Sequence, residues 1–261
     1  MHNFSIKKFS AVRLQEDISP EEWETRVHLA AAFRMAFHKG WNRDVHNHIT
    51  ARVPGQPDCF LMNPVGLGWD EVTASSLVKV DTDGRIISHA NVSLAPAGLN
   101  FHSGIMANRP DVNCVFHVHP TTGVVISATK SKLVMLHQTG CHIAGEVGYH
   151  DFEGLAQEEE EVPRILRDLG EKHLLLMWNH GLLSIGRTIG EAFLLIGWLI
   201  ETCEIQERAM ATGAELRPIS EEVLAVTTAQ MRKRIKTTDY SERNWQYQLR
   251  SAERLDPSFA T

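Results

Sequence analysis

Two histidines one residue apart, His117 and His119, stand in "CVFHVHP", a run that otherwise alternates as a strand does. Side chains at i and i+2 of a strand share a face about 7 Å apart. Both imidazoles can therefore reach one cation, provided the chain supplies further ligands. His180 is the candidate third. It follows the apolar run "LLLMW" and precedes Gly181, in the kind of turn where a sheet presents functional groups. Three neutral imidazoles suit zinc, iron or manganese and leave coordination positions open to water or substrate. Spacing alone equally allows two histidines packed in an ordinary sheet.

The elements that must position these groups are legible in outline. Ser19, Pro20 and Glu22 form a capping-box start for a helix through "WETRVHLAAAFRMAFHKG" that stops at Gly40. Short strands follow at "HITARV", "CFLMN", "LVKV" and "RIIS", the last two joined by the hairpin signal "DTDG". "LNFHSGIMANRP" reads as a helix ended by Pro110, "NCVFHVH" as a strand, and a further helix is expected after Pro120. The acidic "QEEEEVPRILRDLGE" reads as an amphipathic surface helix. "HLLLMW" and "LLSI" are strands around the "NHG" turn, and a long helix runs from about 188 to 212. Its run "AFLLIGWLI" is too short to span a bilayer and reads as a buried helix face. Beyond Gly213 the pattern weakens to one helix and a polar extension. The expected organisation is an N-terminal extension over 1–18, a domain over 19–215 and a C-terminal helical appendage over 216–261. The appendage is a candidate for oligomer contacts. Strands alternating with helices and containing a hairpin favour a mixed, largely antiparallel central sheet flanked by helices over a doubly wound fold.

Composition narrows the function. With 261 residues, 43% hydrophobic, 22% charged and a net charge of −6, the chain suits a soluble globular protein. It offers no electrostatic reason to expect nucleic acid or an anionic membrane as partner. The start carries no apolar h-region, so no secretory signal is expected. Four cysteines without CxxC spacing read as buried thiols of a reducing compartment, the cytoplasm. Neither GxGxxG nor GxxxxGK[ST] occurs, so nucleotide binding has no motif behind it.

The blocks "HNHITARV", "FLMNPVGLGWDEVTASSLVKVDTDGRII", "PAGLNFHSGIMANRPDVNCVFHVHP", "VGYHDFEG" and "WNHGLLSIGRTIGEAF", in this order across residues 23 to 215, resemble the class II aldolase/adducin head family. The resemblance implies a three-layer sandwich and a homotetramer whose site lies near a subunit interface. It also implies one divalent cation held by His117, His119 and His180. By the same resemblance Tyr149 matches a tyrosine projected across that interface as a proton donor. His48 replaces a substrate-contacting asparagine, and Asn63 and Gly66 match a phosphate-contact loop.

The departures from the aldolase pattern concern the substrate. Sugar-phosphate aldolases of the family carry a glutamate, both metal ligand and acid–base group, where this chain has Gly98, four residues before His102. The serine pair that grips phosphate there falls on Pro96 and Ala97, which have no side-chain donors. The "PAG" version resembles the adducin-like branch. The expectation is a metal-dependent lyase or decarboxylase acting on a non-phosphorylated, small hydroxy- or oxo-carboxylic acid, aromatic acids included. Gly98 would free volume for that acid beside the metal, and Tyr149 or His48 would carry the proton. Two alternatives stand beside it: a non-haem iron oxygenase performing oxidative decarboxylation, and an adducin-like, non-catalytic interaction module. Asp70 and Glu71 read as surface capping; His137, His142 and His150 are weaker candidates for lining the pocket.

Overall fold

Ser19 adopts extended backbone and its hydroxyl accepts from Glu22 N at 3.1 Å, which starts α1 (Pro20–His38) as the cap residues dictate. This is a computed structural model, and it describes residues 18–88, 92–154 and 159–261. The N-terminal extension therefore lies outside the described residues apart from Ile18, as does the start of the expected acidic helix.

Strands β1 (His48–Val53), β2 (Gln56–Met62), β3 (Val78–Asp81), β4 (Cys114–Val118), β5 (Val147–His150), β6 (Leu174–Met177) and β7 (Gly181–Gly186) build one seven-stranded sheet in the order β3-β2-β1-β4-β7-β6-β5. Every neighbouring pair is antiparallel except β5 with β6. The sheet is mixed and largely antiparallel, as expected. Alternation sorts its side chains between two cores. Cys114, Phe116 and Val118 pack with α1 and α5 (Ile189–Ala211), whereas Val115 faces the core of α2 (Pro96–Asn108) and α4 (Val162–Leu169). His117 shares the face of Val115, so the first imidazole points to the α2 side.

The run "AFLLIGWLI" is the buried stripe of α5, as its composition requires. Among the described residues no helix is long and apolar enough to cross a membrane. All four cysteines are free thiols, and Cys114, Cys141 and Cys203 are buried. A buried charge network fixes α1: Arg26, fully buried, donates to Glu22 at 2.9 Å and to the carbonyl of Leu77 at 2.6 Å, while Lys79 meets Glu22 at 2.8 Å.

Three elements differ from expectation. "RIIS" forms only an isolated bridge, Val80 with Ile86, and Ile86 and Ile87 are exposed rather than packed into either core. β5 has no counterpart among the expected strands; its four residues pair with β6 only after the chain has passed through α4, a non-local contact with no local signature. Residues 216–261 hold two helices, α6 (Glu221–Thr237) and α7 (Tyr240–Leu255), rather than one. Their Met231, Trp245 and Ala252, with Phe259 beyond, are buried in the α1/α5 core, and the C-terminal Thr261 accepts from Ser75 N at 2.9 Å.

Candidate metal centre

His117 and His119 leave the end of β4, and His180 arrives in the turn from β6 to β7. That turn is sharp because Met177 pairs with Gly181, leaving three residues to reverse the chain. Asn179 takes it in the left-handed region at φ 55°, tolerable for asparagine. Gly181 must be glycine: a Cβ there would stand 2.3 Å from the ring of His119. The result is convergence. One nitrogen from each of the three imidazoles lies within 4.8 Å of the others, and the ε nitrogens of His117 and His119 are 2.8 Å apart.

The electrostatics match the geometry. Burial, reinforced by mutual repulsion among the rings, pushes His119 down to about 3. Burial and nearby His150 bring His180 to about 4. His117, fully buried and surrounded by imidazoles, is held well below the ordinary histidine range. All three are neutral at pH 7, the form that ligates a cation. His117 Nδ1–H donates to the carbonyl of Leu182 at 3.1 Å, which fixes the tautomer and leaves Nε2 as its free electron pair. A neutral three-imidazole set, His117 buried and His119 and His180 half-buried, with one preset tautomer fits a divalent cation.

His48 is brought to the same place. It pairs directly with His117 in the β1–β4 register, and their rings stack at 5.8 Å. Burial and the positive field of neighbouring imidazoles depress His48 to about 4. Its Nδ1 is buried without a hydrogen-bond partner. Behind it stands His102, fully buried, edge-on at 5.3 Å, with Nδ1 bonded to Thr50 Oγ1 at 2.8 Å. Reasoning from sequence misses His102 as the support of His48. The available signal was periodic: His48 and Thr50 share one strand face, and Gly98, Phe101 and His102 one helix face.

Gly98 requires a correction. The space above it is not free for substrate. A Cβ at position 98 would sit 2.5 Å from Cδ2 and Nε2 of His48, so the imidazole fills the volume that glycine leaves. Pro96 and Ala97 open α2, with Ala97 against the second core. Asn63 is buried; its Nδ2 donates weakly to the Asn47 carbonyl at 3.4 Å and its Oδ1 has no partner. Gly66 lies exposed at φ 93° with open space around it, so its backbone conformation rather than crowding calls for glycine. Glu71 accepts from Gly68 N at 2.8 Å and so closes its own turn, while the segment that follows is capped by Thr73 and Ser76 rather than by Asp70 or Glu71.

Tyr149 is not joined to the imidazoles within the chain. Its ring stacks on Trp178 at 5.3 Å under the Lys132 ammonium, and its hydroxyl accepts from Leu133 N at 3.2 Å. His150, His137 and His142 do not line the cluster either. The first is clamped by Asp168 at 2.8 Å and Glu161 at 3.2 Å, and the other two pack on α5 against Thr202 and Trp198.

This architecture has relatives. The family model described as Class II Aldolase and Adducin N-terminal domain matches residues 27–207. A Pseudomonas aeruginosa protein named for the class 2 aldolases is 38% identical over 248 residues, covering 94% of this chain and 95% of that protein. Rat alpha-adducin is 43% identical over 191 residues, 72% of this chain but 26% of the adducin. The crystal structure of an aldolase II superfamily protein from Pseudomonas syringae superposes with a TM-score of 0.88 at 37% identity, covering 95% of this chain and 99% of that one. On this match of sequence and architecture, the chain belongs to the class II aldolase and adducin N-terminal domain family.

Proposed function

We propose that this chain is a metal-dependent lyase that decarboxylates, or cleaves a carbon–carbon bond in, a non-phosphorylated 2-hydroxy or 2-oxo acid. The observation that carries this is the convergence of His117, His119 and His180 as neutral ligands beside a helix start that lacks both the phosphate-gripping serines and the aldolase glutamate. When bound, a divalent cation here supplies Lewis-acid polarisation of a substrate oxygen. Zinc, manganese and iron all suit the donor set. His48, stacked against His117 and backed by His102, holds or moves the proton at Nδ1, in place of the glutamate. Asn63 and the backbone around Gly66 orient the substrate's polar end.

Metal-loaded protein supplied with aryl-pyruvates, aryl-lactates and a matched phosphoglycolate is expected to bind the carboxylates preferentially and to release carbon dioxide or a carbonyl fragment without consuming oxygen. Oxygen uptake coupled to turnover points instead to iron-dependent oxidative decarboxylation. Tighter binding of the phosphate, or brisk cleavage of a ketose 1-phosphate, defeats the proposal. The similarity to alpha-adducin favours a second reading, a non-catalytic interaction module. On that reading the protein takes up no metal.

Tyr149 enters this scheme only from a neighbouring subunit of a homo-oligomer, a tetramer by analogy with the family. Val45, Val65 and Phe152 are 39–54% exposed, each within three residues of, or in ring contact with, a site residue. Such apolar exposure suits a subunit contact beside the site. Sedimentation at micromolar concentration is expected to give a tetramer; a monomer leaves Tyr149 as packing.

A further inference from the structure

The loop between Trp41 and His48 is held at both ends. Trp41 packs on Phe193 at 5.0 Å and Phe116 at 6.5 Å, and His48 is locked into β1. Between them the chain adopts two left-handed non-glycine conformations, Asp44 at φ 46° and Asn47 at φ 73°. Among the described residues the only other non-glycine with positive φ is Asn179, next to His180. Backbone strain of this kind persists where surrounding structure enforces it, and it clusters at functional sites. Here it closes a tight turn in which Arg43 and His46, both exposed, bridge to each other just before β1.

Arg43 donates to the hydroxyl of Thr121, at the start of α3 (Thr121–Ser127) and two residues beyond His119. Arg43 is thus tied to the chain two residues past His119, and it stands five residues before His48, whose ring stacks on His117. Among the described residues Arg43 forms no ion pair, although Asp44 is its chain neighbour. Thr121 engages one side of a fork that carries five N–H donors, leaving others for a planar anion.

We propose that Arg43 recognises a second carboxylate on the substrate, so that the acid acted on is a short dicarboxylate. The inference rests on the reading above, in which one end of the acid chelates the cation at His117, His119 and His180. A carboxylate at the other end then meets a charged fork rather than water. A monocarboxylate leaves Arg43 without a partner and gains nothing from it.

The test is calorimetry on zinc-loaded protein with racemic malate and racemic lactate, which share the 2-hydroxy-carboxylate end and differ in the distal carboxylate. Wild type is expected to bind malate at least tenfold more tightly than lactate. Arg43→Gln should bring the two within about twofold, with lactate affinity and zinc content unchanged, and Arg43→Lys should keep part of the preference. Equal binding of malate and lactate by wild type, with lactate binding intact, overturns the role of Arg43 alone. An equal loss of both acids in Arg43→Gln also overturns it, showing that the residue only holds its loop. Lactate too weak to measure while malate binds is the same preference at its limit, and Arg43→Gln should then weaken malate at least tenfold; malate binding unchanged in Arg43→Gln overturns the role of Arg43. Neither acid binding overturns both.

Discussion

Replacing any one of His117, His119 or His180 by alanine is expected to abolish the proposed uptake of a divalent metal while leaving the protein folded. Three imidazoles are the whole donor set that the described residues offer at this point. Losing one leaves two ligands for a cation that needs three or four protein contacts. The affinity should fall by at least about a hundredfold, more than the roughly 10–100-fold lost when only a group behind a ligand is changed. Elemental analysis after reconstitution with zinc, manganese or iron reads the result, and far-UV circular dichroism checks the fold. Wild-type protein that takes up none of these metals defeats the assignment, as does an alanine variant that retains them.

The same rings set a pH dependence for the metal-free protein. His48 and His180 titrate at about 4 and His119 at about 3, all lowered chiefly by burial. In the unfolded chain each returns to about 6.5. Between about pH 6.5 and 4 the unfolded chain therefore binds more protons than the native one, and stability falls as pH falls. It is fully present above about 6.5. A tenfold loss of proton affinity on folding is worth about 1.4 kcal/mol, so the cluster together should remove several kcal/mol across that window. Denaturant titrations of the metal-free protein at pH 7 and pH 5 measure it. A flat profile means the imidazoles are not buried as described.

Gly98→Ala should be disproportionately damaging for the addition of a single methyl group. The new Cβ would lie 2.5–2.6 Å from three ring atoms of His48. The ring cannot swing away freely, with Phe101 at 5.9 Å, His102 at 5.3 Å and His117 at 5.8 Å around it. Overpacking of this kind costs about 1–3 kcal/mol, and here it also displaces the proposed proton carrier. The interaction is pairwise, so His48→Ala/Gly98→Ala should recover most of the lost stability, and a double-mutant cycle should show coupling above about 0.5 kcal/mol. By the same argument Gly98→Glu, which restores the aldolase carboxylate, should be accommodated only when His48 is also reduced to asparagine. Strictly additive effects of the two alanine changes dispose of the idea that His48 and Gly98 are one unit.

Where local chemistry suffices, the sequence alone determined the outcome. Ser19, Pro20 and Glu22 specify the start of α1 because a cap is a contact between near neighbours. The alternation of "CVFHVH" puts His117 and His119 on one face because the strand period allows nothing else. The turn at Asn179 and Gly181 presents His180 because only such residues tolerate its backbone and the close approach of His119. Tertiary structure decided what lies beside that triad. In sequence, a glycine where the aldolases have glutamate looks like a hole. In the fold it is a socket, because antiparallel register places His48 opposite His117 and packing of α2 brings Gly98 beneath the imidazole. The support of His48 by His102 and Thr50, the partnering of β5 with β6, the docking of Trp245 and the approach of Arg43 to Thr121 are likewise contacts between distant segments. No spacing encodes them, since each depends on where two separately formed elements come to rest against a shared core.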